Sequence, residues 1–359
     1  MVAGLMRILV RRNEIERLRQ MASDIKRTYI WVVWALGFPS NILCVVTVLS
    51  MRGPSPATFL VSTLAVTDGL AISAKLLAHQ FGQWQVYMGT VGCKSNFWAI
   101  FLSSLANWTL VLICGERYVA VCFPLKKVYV VTRRRCQVTV LALALTLLIF
   151  FASVYYVMRD ADSTGYYCGT YNKYLAFWTT GWYWINTLIS LFLPFLCIVL
   201  LTALIVYGLM RSRRERRGIL GKTADVRQHL MDGSNNKNRR GTNQRLLKEA
   251  EAVERSITAM LILAAAIFLL LALPTCIYLL AYKQPRYGES RDPLLEARWA
   301  LFDQIQFVLI DSSHAVNFFL YFLSAQRFRR QLYHVIRCRR LPGRESQSRT
   351  LEMTNITHP

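Results

Sequence analysis

Seven long apolar stretches dominate this chain and decide what it can become. They cover residues 30–51, 57–79, 97–121, 138–158, 182–209, 256–282 and 300–323. Each holds 21 to 28 residues, enough to cross a hydrocarbon core of about 30 Å as a helix rising about 1.5 Å per residue. The chain has 43 Lys and Arg and 20 Asp and Glu, yet only six of these charges fall inside the stretches. A water-soluble chain of 359 residues would spread its charge and divide into two or more domains. Segregation on this scale predicts an all-α membrane protein, with a seven-transmembrane helix bundle over residues 29–323. It excludes a disordered chain, a disulfide-rich secreted scaffold and a soluble enzyme.

Basic residues set the expected orientation. With an odd number of spans the termini lie on opposite sides. An outside amino terminus places 27 Lys and Arg on cytoplasmic segments and 14 outside. Seven of those 14 precede the first span and pull the other way. Residues 1–28 lack the n-region, apolar core and cleavage site of a signal peptide, and read as a short extracellular tail. Residues 210–255, with the run Arg211 to Arg217 and a low-complexity segment at 232–238, read as a largely disordered cytoplasmic loop. In 324–338, Phe328, Leu332 and Val335 or Ile336 share one face with arginines opposite, as expected of an amphipathic helix on anionic lipid. Residues 339–359 form the cytoplasmic tail. The expected location is the plasma membrane.

Position disposes of most of the nine cysteines. Cys44, Cys114, Cys197 and Cys276 lie in spans, and Cys122, Cys136 and Cys338 lie at or beyond cytoplasmic ends. Cys93, opening the third span, and Cys168, in the loop between spans four and five, remain for a bridge across the bundle mouth or for two free thiols. Cys338 is a palmitoylation candidate, or a plain surface cysteine.

An ionisable side chain at mid-bilayer costs about 2.5–3.5 kcal/mol, which makes those present functional candidates. They are Asp68, Lys75, Glu116, Arg117, Asp303 and Asp311. Arg117, at the cytoplasmic end of span three, can clasp a carboxylate and release it when helices separate, with Glu254 at the start of span six as the natural partner. Lys75 lies two turns outward of Asp68, and both Lys75 and Asp311 should face the outer half of the bundle. There they either bridge each other or meet a ligand. Asp303 and Gln304 stand at the entrance. Trp98, Trp182, Tyr183 and Tyr278 sit at the outer level, as an interfacial belt or as pocket lining. Trp31 and Trp34 are expected to face lipid. The sequon Asn107-Trp-Thr109 falls inside a span and Asn355-Ile-Thr357 on the cytoplasmic tail, so neither should carry a glycan.

Glu116-Arg117-Tyr118 followed by Val-Ala-Val-Cys-Phe-Pro-Leu, Asn41, Leu-Ala-Val-Thr-Asp at 64–68, Pro194, Pro274 and Asn317 through Tyr321 occur in order on seven spans. In this the chain resembles the rhodopsin-like G-protein-coupled receptors over about residues 29–338. The run Ser-His-Ala-Val-Asn-Phe-Phe at 313–319 and the run at 34–41 resemble invertebrate neuropeptide receptors, particularly FMRFamide-receptor-like ones. The resemblance implies an extracellular ligand, a heterotrimeric G protein, arrestin and a receptor kinase as partners. It implies an activation switch at Glu116, Arg117, Tyr118, Glu254, Phe268, Asn317 and Tyr321. It adds a bound sodium ion and waters at Asp68 and Asn317, with no other cofactor. Two departures stand out. Asn317-Phe-Phe-Leu-Tyr321 lacks the family's proline, and Leu271-Ala-Leu-Pro274 lacks its tryptophan.

Other seven-span functions fit less well. A retinal protein needs a lysine in the last span, and 300–323 has none. A transporter should show inverted repeats or interrupted helices. A membrane enzyme needs clustered His, Cys or Asp, whereas the five histidines at 79, 229, 314, 334 and 358 are scattered. The basic charge flanks the membrane, which suits lipid head groups and a signalling partner rather than nucleic acid. Residues 97–115 contain no acid to hold an amine, which disfavours monoamines. A neuropeptide ligand rests on the resemblance, and a non-peptide small molecule or chemosensory ligand is the alternative.

Overall fold

A bilayer offers no water to the backbone, so each apolar stretch must close its own hydrogen bonds as a helix. The computed structural model describes residues 2–51, 55–83, 89–160, 168–229, 262–281, 292–324 and 326–337. Helices α1 (Val2–Leu49), α2 (Pro56–Gln83), α3 (Gly89–Cys122), α4 (Pro124–Val130) and α5 (Arg133–Val157) come first. A hairpin of β1 (Met158–Asp160) and β2 (Cys168–Thr170) follows, antiparallel, with Asp160 opposite Cys168. Then come α6 (Tyr183–Thr187), α7 (Leu193–His229), α8 (Ile262–Ala281), α9 (Pro293–Ser324) and α10 (Gln326–Ile336). Spans one to three are α1 to α3, span four is α5, span five is Tyr183–Arg211, and spans six and seven are α8 and α9. At the last turn, the segments Pro293–Leu323 and Phe328–Ile336 meet at 97°. Phe328 and Leu332 of α10 are buried against the bundle while Tyr333 and Ile336 are exposed.

The first helix joins the expected tail and the first span in one continuous rod. At 48 residues it is about 72 Å long, more than twice the apolar core. No proline interrupts it before Pro39. Its amino-terminal half is docked on the start of α9: Arg11 pairs with Asp292, and Arg298 Nη2 lies 2.9 Å from Glu14 Oε1. Ala22 of α1 and Ala297 of α9 are both buried. The two ion pairs tie the amino-terminal half of α1 to the start of α9.

Local chemistry fixes the other elements. Ser55 and Thr58 cap α2 reciprocally, with Thr58 N–H donating to Ser55 Oγ at 3.1 Å and Ser55 N–H to Thr58 Oγ1 at 3.0 Å. Thr132 caps α5 by accepting from Arg135 N–H. Span five contains a wide turn at Leu188–Phe192 just before Pro194. Proline has no N–H, so carbonyls one turn back lose their helical donor. Asn107 Nδ2 donates to Ser190 O at 3.0 Å and Trp108 Nε1 to Ile189 O at 3.0 Å. Span three thus closes the gap that Pro194 opens in span five. The Asn107 amide is occupied in the helix packing, consistent with a sequon that carries no glycan.

The main core joins Cys44 of α1, Leu64 of α2, Leu110 and Ile113 of α3, Ile198 of α7, Phe268 of α8 and Tyr321 of α9. A second cluster ties α3 to α5 through Phe97, Phe101, Leu147, Phe151, Val154 and Trp182. Where α1, α2 and α9 cross, a Cβ on Gly37 would stand 2.7 Å from Ile72 Cδ1 and 2.9 Å from Ala315 Cβ. Only glycine fits that crossing. Trp31 is exposed as expected. Trp34 is not lipid-facing: its indole N–H donates to Ser73 Oγ at 3.0 Å and its ring stacks on Phe38. A polar ring edge inside the apolar layer is stable only with an acceptor, and α2 supplies it.

Candidate functional site

Polar side chains inside the bundle fall at three levels along its axis. At one end, Cys93 and Cys168 form a disulfide with a Cα–Cα distance of 5.4 Å, tying β2 to the start of α3. Below it lies the pair Lys75 and Asp311, with Nζ 2.6 Å from Oδ1. Asp311 is 4% exposed at its side chain and Lys75 24%. Tyr29 of α1 donates its hydroxyl to Asp311 Oδ2 at 3.3 Å, so α1, α2 and α9 converge on one carboxylate. Lys75 and Asp311 therefore bridge each other across the bundle.

The other outer candidates separate into distinct surroundings. Gln304 reaches Asp303 Oδ2 at 3.4 Å, while Gln306, which is buried, donates to Asp303 Oδ1 at 3.0 Å. Gln306 has no charge or motif in the sequence to mark it. Tyr278 is buried with its ring near Trp299 and Phe302 of α9. Trp98 is 51% exposed and stands edge-on to Phe97 and Phe101. Trp182 is buried between Trp178 and Phe150, both stacked on it. Its two ring faces are filled by these neighbours.

At mid-bundle, Asp68 is wholly buried and held by α9: His314 Nδ1 stands 2.7 Å from Oδ1, and Asn317 Nδ2 donates to Oδ2 at 2.7 Å. A ring nitrogen that close to a carboxylate oxygen shares a proton with it in a hydrogen bond. Asn41 Nδ2 donates to the His314 carbonyl at 2.9 Å and fixes that turn of α9 from α1. Asn41 therefore supports the site through His314. A cavity of about 10 Å³ beside them, lined by Ala106, Leu110, Phe268 and Leu320 among others, is room for about one water. The donors aimed at Asp68 are N–H groups, which suit an anion. The donor set offers little to a cation, since hard cations take several oxygen ligands. Among the described residues no group of three or more His, Cys, Asp or Glu could hold a metal. His314 is the residue that sequence reasoning missed, because a lone histidine in an apolar span carries no spacing signal.

At the opposite end, Arg117 Nε lies 2.6 Å from Glu116 Oε2, and both side chains are buried. Tyr118 packs edge-on to Phe123 just before α4. Tyr321 is buried next to Phe328 of α10, and Phe268 of α8 reaches the mid-bundle cavity. The switch candidates thus form a column from Asp68 and Asn317 through Phe268 and Tyr321 to Arg117. Glu254 and Cys338 lie outside the described residues.

A bundle of this kind has the parts of a two-state transmitter: a capped mouth, a buried polar middle and a caged arginine. The comparison with known families agrees. A family model described as "7 transmembrane receptor (rhodopsin family)" matches residues 40–328. That interval runs from the last part of α1 through the other six spans to the start of α10, and the chain belongs to the rhodopsin family of seven-transmembrane receptors.

Proposed function

We propose that this receptor binds a neuropeptide at the disulfide-capped end and activates a heterotrimeric G protein at the Arg117 end. The disulfide end then faces the outside of the plasma membrane, with the amino terminus, and the loop 210–255 and the tail 339–359 lie in the cytoplasm. The observation that carries the reading is the Lys75–Asp311 pair. It is a buried charge pair under a disulfide-held hairpin, in a bundle whose third span has no acid over 97–115. A peptide carrying both a cationic side chain and backbone amides matches this site. The cation competes with Lys75 for Asp311, and the backbone pairs with the free edge of the hairpin. The runs at 313–319 and 34–41, similar to FMRFamide-receptor-like sequences, support an amidated peptide.

Binding favours a state in which α8 swings away from α3, freeing Arg117 and opening a groove for the carboxy-terminal helix of a Gα subunit. Ligand and G-protein affinities are then coupled reciprocally. Arrestin and a receptor kinase act on the same cytoplasmic face. The test is a calcium and cyclic-nucleotide screen of cells expressing the chain against amidated neuropeptides. The reading expects a saturable response to at least one peptide that is lost in Asp311→Ala at equal surface expression. Responses only to non-peptide small molecules would replace the peptide ligand and leave the receptor class standing.

A further inference from the structure

A carboxylate in a membrane interior needs a cation or a set of hydrogen-bond donors, because an isolated buried charge is unfavourable by several kcal/mol. In this receptor α9 already supplies a partner to each oxygen of Asp68. His314 Nδ1 and Asn317 Nδ2 each reach one carboxylate oxygen at 2.7 Å, and Asp68, His314 and Asn317 are all buried. We propose that the His314 imidazole occupies the position a sodium ion would take beside Asp68, so that this receptor fills the site with its own side chain and is indifferent to sodium.

Three observations support this. The imidazole nitrogen stands 2.7 Å from Oδ1, so the ring fills the space on that side of the carboxylate that a cation would need. Displacement is opposed by packing. The α9 backbone at this turn is held by Asn41 through the His314 carbonyl and by the close crossing of Gly37 with Ala315. The space left over, about 10 Å³, takes about one water and not an ion with a hydration shell. Finally, the walls are mostly hydrocarbon. Ala106, Leu110, Ala264, Ile267, Phe268 and Leu320 carry no polar side-chain atom, Ser313 Oγ donates its proton to Ile310 O at 2.6 Å, and Asn107, also in the lining, has its amide nitrogen turned to Ser190 O at 3.0 Å. The brake on helix movement that this polar cluster supplies is then set by the chain itself, independent of the salt outside.

The test reads the thermal unfolding midpoint of the purified full chain in sodium, potassium and N-methylglucamine chloride at equal ionic strength. It needs neither the ligand nor the G protein, so it stands or falls apart from the peptide reading. The wild type is expected to show the same midpoint in all three salts. His314→Ser, which removes the ring and adds a hydroxyl oxygen, is expected to unfold at a lower temperature and to recover part of the loss in sodium only. His314→Asn, with a carbonyl oxygen, serves as the second variant should the serine form fail to fold. A dose-dependent, sodium-specific rise in the wild type that Asp68→Asn abolishes would overturn the proposal. So would folded His314 variants with no sodium response, because the ring would then not be what keeps the ion out.

Discussion

Deleting one member of the Lys75–Asp311 pair should not be equivalent to deleting the other. At 2.6 Å the two charges attract by about 6 kcal/mol at an effective dielectric of about 20, before desolvation of each is subtracted. Lys75→Met leaves Asp311, 4% exposed, with the Tyr29 hydroxyl at 3.3 Å as its remaining partner in this cluster. Stranding a buried charge costs about 3–5 kcal/mol. Asp311→Leu leaves Lys75, a quarter exposed on a flexible stem that can carry its ammonium to water. That loss should be smaller, about 1–2 kcal/mol. The double variant strands nothing and should lie within about 1.5 kcal/mol of wild type. Unfolding of the purified receptor, followed as a double-mutant cycle, should therefore give a coupling energy of about 2.5–7 kcal/mol. Additive losses in the double variant, or a larger loss for Asp311→Leu than for Lys75→Met, would refute the reasoning.

Three shorter predictions follow from other contacts. Glu116→Gln removes the charge that holds Arg117 and should raise basal nucleotide exchange roughly fivefold, about 1 kcal/mol of bias. Unchanged basal exchange at equal expression would remove Glu116 from the clasp. Gly37→Ala forces a methyl against Ala315, whose own Cβ cannot rotate away, and should lower stability by about 1–3 kcal/mol. A neutral result by thermal unfolding would mean that α1 and α9 can separate without penalty. Asn107→Ala leaves the Ser190 carbonyl without its side-chain donor and should cost about 1–3 kcal/mol, with faster amide exchange confined to 186–194. Global loosening instead would show that Asn107 does more than patch the turn before Pro194.

The bundle was legible in the sequence because lipid leaves a chain few options. An apolar run of the right length must be a helix, and the turn into an amphipathic last helix follows from periodicity alone. Lys75 and Asp311 could be placed in the same half of the bundle by counting turns, although counting could not decide between a bridge and two charges awaiting a ligand. What stayed hidden depends on contacts between distant segments. The helical amino-terminal half of α1 is held by Asp292 and Arg298, nearly the whole chain away. Trp34 turns inward because Ser73 happens to lie opposite it. Asn107 reads as a sequon or a spare amide until Pro194 is seen beside it in space. His314 was invisible for the same reason, since its meaning is the carboxylate of Asp68 on another helix. Trp182 shows the reverse error of emphasis: its level along the axis was readable, and its burial among Trp178, Phe150 and Phe151 was not.

The central claim is that Arg117 serves a G protein at the end of the bundle away from the disulfide. It is tested most directly by mixing the receptor in lipid nanodiscs with nucleotide-depleted heterotrimers of each Gα class and following complex formation. The account predicts a complex with at least one class that falls apart on adding a non-hydrolysable GTP analogue and fails to form with Arg117→Ala. A folded receptor that forms no guanine-nucleotide-sensitive complex with any class, with or without peptide, would contradict it.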